Sequence, residues 1–453
     1  MESDYMLMRL SWVLSLVISV ASTGVAFADQ PVDLKVTDDW EVTASLPQTG
    51  KPALTAVVKV APLPVEKVEN EVYGSLPVFD PKKAVYARGV HLKAVKAQEV
   101  TTPFLLLPET LVVRGTGADA NTVYVKGQDY DGELNWGNIG RLENGRIKDK
   151  QAVQVSYQHT MLRMDSIVLT KAGKIEYREG KAVASSAMAP ELKAGEKLLA
   201  NIWLPGLTPK LTANNLFPVL EAIYPEPPQP HPSIAEQRIP NTMEKLRSGK
   251  KVKILAWGDS VTDGRYVPDW KVDRWQNQFV PRLRERFPQA TITLSTEAWG
   301  GRNTSSYLAV KPGEEHNYQE TVLGAKPDLI ISEFVNDAGM SPEAVEKRYS
   351  QFAADFKAID AEWIILTPHY IRPDWMKLDR ERDIDQDPRP YVQGLRLFAD
   401  KHNIALADAS LRYGHLWREG IPYSSLMSNS INHPDPRGMK IFADALMEIF
   451  PEK

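Results

Sequence analysis

Residues 254–264 read Ile254, Leu255, Ala256, Trp257, Gly258, Asp259, Ser260, Val261, Thr262, Asp263, Gly264, an apolar run that ends in a tight Gly-Asp-Ser turn. The run has the length of a buried strand and is closed by turn-forming residues, so the segment reads as a strand feeding a helix. In an open α/β sheet such a turn lies at the carboxyl end of its strand, where ligands bind. The backbone N–H groups that open the next helix point at any developing anion. Ser260 therefore stands where a nucleophile would. The plainer alternative is a serine that caps the following helix.

Working outward, the chain on both sides of this turn alternates strands and helices. Asn241–Ser248 reads as a short helix ended by Gly249, and Trp270–Phe287 as an amphipathic segment interrupted by Pro281. Thr291–Leu294, Leu329–Glu333, Trp363–Leu366 and Ile404–Ala407 read as further strands. Pro342–Ile359 places Val345, Tyr349, Phe352, Phe356 and Ile359 on one helical face, and helices are also expected around Tyr391–His402 and Arg437–Ile449. The alternation predicts a three-layer α/β/α unit with a parallel sheet over 241–453, with functional residues at strand carboxyl ends.

Upstream the period changes. Val153, Val155 and Tyr157 alternate with polar residues, and Thr122–Val125, Lys174–Tyr177 and Leu198–Trp203 are similar short runs. Turn residues at 115–119, 143–145 and 179–180 separate them. Residues 29–217 are therefore expected to form a β-rich, sandwich-like accessory domain or a pair of β modules. Seven prolines between Pro218 and Pro240 mark 218–240 as a semi-rigid linker.

Composition narrows the function. A chain of 453 residues is long enough for two cores. A formal net charge of −4 carries no basic excess, so nucleic acid is not an expected partner. Arg9, an interrupted apolar run from Leu10 to Phe27, and Ala26-Phe27-Ala28 before Asp29 read as a secretory signal, residues 1–28. The mature chain is then expected to be secreted or periplasmic, with no stable membrane insertion; an uncleaved anchor is the competing reading. The chain has 0 cysteines, which excludes thiol nucleophiles and cysteine-zinc sites. Its 8 histidines are scattered without clustered carboxylates, so neither a metal nor a cofactor is expected.

Three later segments offer chemistry to match Ser260. Gly300-Gly301-Arg302-Asn303-Thr304 lets a backbone N–H approach a bound oxygen, and Asn336 offers a side-chain donor after the Leu329–Glu333 strand. Asn432-His433-Pro434 offers an imidazole base before the last helix. In this order Ser260, Gly301, Asn336 and His433 resemble the signature of the SGNH hydrolases, or GDSL-type esterases and lipases, over about 240–453, less than half of the chain. The resemblance implies a serine esterase, similar to secreted carbohydrate acetylesterases, in which Ser260 attacks an ester and His433 moves its proton. It also implies an oxyanion hole made by the N–H groups of Ser260 and Gly301 and the Asn336 amide.

The sequence departs from that signature twice. Phe334 stands two residues before Asn336 where the family has glycine, which predicts a narrowed acyl pocket. Ser430 stands three residues before His433 where the family has aspartate. A main-chain carbonyl near Ser430, the Ser430 hydroxyl, or a carboxylate such as Asp435 or Asp408 are the candidates to orient His433, with a main-chain-oriented Ser-His dyad preferred. Asp259 reads as a turn acceptor rather than the acid, and His369 as a packing residue. Tyr266, Trp270, Tyr370 and Trp375 fall on predicted rim loops, where aromatic faces stack on sugar rings. The resulting expectation is an exported esterase that removes short acyl groups from a polysaccharide. The competing readings are a lipid or aryl esterase, an acyl transferase, and an inactive glycan-binding protein.

Overall fold

The computed structural model describes residues 30–452; the expected export signal, 1–28, lies outside the described residues. Five parallel strands, Thr291–Ala298, Lys251–Gly258, Leu329–Glu333, Glu362–Leu366 and Ala405–Ala407, lie side by side in that order. The chain enters at Lys251–Gly258, steps to one edge, and crosses to the other side at Leu329–Glu333. The switch point therefore falls where Ser260 and Asn336 leave adjacent strands, the place where open α/β sheets bind ligands.

Period-two alternation divides each strand between two cores. Ile254, Ala256, Ile331 and Ile364 pack with Met243, Phe279, Leu283, Phe442 and Leu446. These come from the helices Pro240–Arg247, Trp275–Arg286 and Pro436–Glu448. Leu255, Trp257, Ile330, Trp363 and Ile365 pack with Tyr349, Phe352, Phe356, Leu395 and Phe398. That second set comes from Pro342–Ala358 and Pro390–Lys401. Burial on both faces explains why these strands read as unbroken apolar runs.

One expected break is displaced. The Trp270–Phe287 segment is interrupted at Arg274, which is extended at φ −62° and ψ 147°, while Trp275–Arg286 runs through Pro281. A proline inside a helix costs about 3 kcal/mol. Here the buried Trp275, Phe279, Val280 and Leu283 anchor the helix on either side of it.

Residues 33–218 form four antiparallel sheets. One holds Glu66–Tyr73, Val153–His159, Leu106–Arg114 and Val123–Tyr124, and another Ile175–Arg178, Leu162–Leu169, Lys197–Pro205 and Leu216–Pro218. Two three-stranded sheets complete the β-rich part. Its cores gather Val153, Val155, Tyr157 and Trp203, and Ile167, Ile202 and Leu216.

This part is fastened to the α/β unit. Trp417 is buried in the first β core beside Phe217, and Asn201 Nδ2 donates to the Gly420 carbonyl at 2.8 Å. Trp203 Nε1 donates to Glu381 at 3.2 Å, and the backbone N–H of Leu220 to the Arg418 carbonyl at 2.7 Å. Further along, Gln229 reaches the Glu448 carbonyl, and Ser233 caps a helix at Ile234–Arg238. Among the described residues no helix is long and apolar enough to cross a membrane.

Candidate active site

Close packing makes the Gly-Asp-Ser turn. A Cβ on Gly258 would collide with Thr262 Oγ1 and the Glu333 carbonyl, so the strand can turn here only with glycine. The buried Asp259 then takes the backbone N–H of Val261 at 3.1 Å on one oxygen and that of Asn336 at 2.9 Å on the other. Asp259 thus ties the Ser260 turn to the Asn336 turn as an acceptor, and its burial raises its pKa above the usual carboxylate range. Thr262 takes a hydrogen bond from Trp275 Nε1 at 3.3 Å, and Gly264 ends the short helix Ser260–Asp263 at φ +56°.

These turns surround a cleft of about 280 Å3 lined by Ser260, Gly300, Gly301, Asn336 and His433. Ser260 Oγ lies 3.0 Å from His433 Nε2. With the ring proton on Nδ1, the serine hydroxyl donates this bond. Gly301 stands at φ +70° with open space around it, in the backbone region that favours glycine. Asn336 Nδ2 donates to the Arg302 carbonyl at 3.2 Å, which uses one amide hydrogen and leaves a second. The four residues singled out in the sequence are therefore brought to one cleft.

His433 is held by a loop built on Asn429. The Asn429 side-chain oxygen accepts the backbone N–H groups of Ile431, Asn432 and His433, each at 3.0 Å. Ser430 takes φ +56° inside this loop, and its hydroxyl lies 2.7 Å from that of Thr102 in the β-rich part. Burial pushes the His433 imidazole down to about 4, so it is a neutral base at neutral pH.

None of the residues named from the sequence meets His433 Nδ1. Asp435 caps the Pro436–Glu448 helix and pairs with Arg437, and Asp408 pairs with Arg396 and accepts from Thr367. Both carboxylates are committed elsewhere, and Ser430 turns to Thr102. No main-chain acceptor among the described residues meets His433 Nδ1. Instead Glu99 Oε2, from the β-rich part, faces Nδ1 at 3.3 Å. The approach is close but off the hydrogen-bond direction, so Nδ1 has a charge partner without an aligned acceptor.

Phe334 does not narrow the acyl pocket. It is 1% exposed and packs edge-on against Trp257, ring centroids 4.8 Å apart, within the core beneath Pro342–Ala358. Of the expected rim aromatics, Tyr370 is fully buried, Tyr266 stacks on His433, and Trp270 packs under Arg274 outside the cleft lining. Trp375 does line the cleft and is 43% exposed, and Tyr86, which the sequence did not single out, joins it there. His369 is buried between Tyr413 and Phe442.

A strand-to-helix serine, a neutral imidazole on its hydroxyl and glycine and asparagine turns at a switch point accompany a family match. Residues 256–441 match the GDSL-like Lipase/Acylhydrolase family. This GDSL-like segment contains Ser260, Gly301, Asn336 and His433, whereas Glu99 lies outside it. Comparison with curated proteins gives no match. Among solved structures, a two-domain esterase (CEX) active on acetylated mannans is 17% identical at a TM-score of 0.37, covering 47% of this chain and 52% of its own. The chain thus spans about half the length of that esterase. A variant of Axe2, an acetyl-xylooligosaccharide esterase from Geobacillus Stearmophilus, is 20% identical at a TM-score of 0.36, covering 44% and 95%. LAE5, an alpha/beta hydrolase enzyme from the metagenome of Lake Arreo, Spain, is 21% identical at 0.34, covering 43% and 93%.

Proposed function

We propose that this chain is an exported carboxylic ester hydrolase that removes O-acetyl or other short acyl groups from a polysaccharide through an acyl-enzyme. The observation that carries this reading is the 3.0 Å contact between Ser260 Oγ and His433 Nε2, inside the cleft that Gly301 and Asn336 also line. In this reading Ser260 Oγ attacks the ester carbonyl carbon while its proton passes to His433 Nε2. The Ser260 and Gly301 N–H groups and the second Asn336 amide hydrogen stabilise the oxyanion. Collapse breaks the ester bond, and the sugar hydroxyl leaves with the proton from Nε2. Water then repeats the sequence on the acyl-serine.

The cleft size favours a short acyl group, and Trp375 and Tyr86 at its edge offer aromatic faces to a sugar ring. In domain terms the reading assigns 29–217 to an accessory β domain, 218–240 to a linker and 241–453 to the hydrolase. The test compares hydrolysis of a chromogenic acetyl ester, acetylated glycans and long-chain esters by wild type and Ser260→Ala. Acetyl release that vanishes in the variant is expected. Equal rates in both would refute the nucleophile, and a clear preference for long chains would refute the substrate class.

A further inference from the structure

The structure assigns the carboxylate that orients His433 to Glu99, a residue of the β-rich part, so that the site's positioning acid comes from outside the unit that holds its nucleophile and base. This inference rests on the serine-esterase reading and adds a residue that the reading does not contain.

Geometry is its first support. His433 Nδ1 is buried with no hydrogen-bond partner among the described residues, and the Glu99 carboxylate stands 3.3 Å from it. Catalytic hydrogen bonds are often long or misaligned before substrate binds. Glu99 keeps about half of its side chain exposed, at 50%, so a side-chain rotation is sterically open to it. The titratable groups that face this pair are Tyr266, stacked on the imidazole, and His369 behind it. Burial keeps both uncharged, so Glu99 is the anion His433 meets from this side.

The second support is that the backbone around Glu99 is docked onto the His433 loop. Glu99 sits in a tight turn closed by Ala97 N–H to the Val100 carbonyl at 2.7 Å. Gln98 N–H donates to the Ser428 carbonyl at 3.2 Å, and Val100 packs with Trp136 against Ile431. Thr102 holds Ser430. Three contacts thus bind residues 98–102 to residues 428–431, and the Asn429 side chain that gathers the loop's N–H groups lies close enough to Glu99 to favour its ionised form. The serine that occupies the expected acid's position is itself part of the clamp that brings Glu99 in.

The proton bookkeeping is simple. His433 keeps its Nδ1 proton toward Glu99 throughout, takes the serine proton at Nε2 and returns it to the leaving hydroxyl. Glu99 stays anionic, fixing the tautomer and stabilising the imidazolium without accepting a proton.

Glu99→Gln in the full-length chain tests this. It is expected to lower kcat by about 10²- to 10⁴-fold with little change in KM. The acid limb of its kcat/KM profile is expected to move to lower pH, because the carboxylate whose protonation sets that limb is gone. Wild-type kcat and an unmoved limb, or an effect confined to KM, would overturn the assignment. A readout independent of turnover is the 15N spectrum of the His433 ring. A dominant Nδ1–H tautomer that shifts toward Nε2–H in Glu99→Gln supports the pairing, and identical tautomer and titration in both proteins refute it. If wild type and Ser260→Ala prove equally inert toward esters, the esterase reading fails, while the ring spectrum still decides Glu99.

Discussion

Tyr266 lies face to face with His433, ring centroids 4.1 Å apart and planes 6° from parallel. Tyr266 follows the nucleophile's short helix and His433 precedes the last helix, so the stack joins the nucleophile and base loops. It fixes the imidazole plane that points Nε2 at Ser260. Stacked aromatic pairs are worth about 0.5–1.5 kcal/mol beyond area burial. Tyr266→Ala is therefore expected to lower kcat about two- to tenfold with KM nearly constant, as the ring loses its preferred plane. The enclosed Tyr266 hydroxyl has no hydrogen-bond partner among the described residues, so Tyr266→Phe is expected to keep wild-type kcat. Steady-state kinetics on an acetyl ester separates the two variants, and a Phe variant as poor as the Ala variant would contradict the stacking argument.

Asn336 carries the next prediction. Its backbone N–H is anchored on Asp259, and one side-chain hydrogen is engaged by the Arg302 carbonyl, so its second amide hydrogen is pre-aimed. Removal of one oxyanion donor costs about 2.7–4 kcal/mol, which corresponds to a 10²- to 10³-fold loss in kcat. Asn336→Ala is expected to show that loss in single-turnover acylation, with substrate affinity close to wild type. A change mainly in affinity would place Asn336 on the substrate's ground state.

The pH profile follows from two opposite shifts. Burial holds His433 at about 4, below the ordinary imidazole value of about 6.5, while burial raises Glu99 from the ordinary glutamate value. As pH falls, His433 therefore remains a neutral base after an exposed histidine would have gained its proton. The acid limb is set first by Glu99, which loses its charge on protonation. In Glu99→Gln, where His433 alone sets the acid limb, the kcat/KM plateau is expected to extend well below pH 6.5. A half-maximal point at an ordinary imidazole value in that variant would show that burial does not depress His433 in solution.

The sequence carried the sheet and half of the site for the same reason. Leu329–Glu333 was legible because Ile330 and Ile331 face opposite helical layers, and a strand buried on both faces is apolar throughout. Ser260, Gly301, Asn336 and His433 were legible because each follows a strand or precedes a helix, where local turn chemistry leaves a mark. Glu99 has no such mark. Its turn carries no periodicity, and its meeting with His433 is made by tertiary contacts between distant segments, through Val100, Ile431 and the Thr102–Ser430 pair. Ser430 did signal that the usual aspartate is missing, but nothing local told what faces His433 in its place. Phe334 was misread because the strand's alternation continues past Glu333 and sends its ring into the core.

The Asn429 loop gives the last prediction. One side-chain oxygen gathers three backbone N–H groups, including that of His433, and so fixes the base. Asn429→Ala leaves those donors without their acceptor, at about 1–3 kcal/mol for each group that water cannot reach. A fall in thermal stability and in kcat together is expected. Asn429→Asp keeps an acceptor oxygen in the same place, so the loop and most of the stability are retained. It also replaces an amide that favours the ionised form of Glu99 with a second anion. Like charge disfavours ionisation of Glu99 and raises its pKa, so the acid limb of kcat/KM is expected to move to higher pH, opposite to Glu99→Gln. Thermal unfolding and pH profiles of the two Asn429 variants check this. An Asp variant whose limb stays in place would mean that Glu99 and Asn429 do not meet in solution.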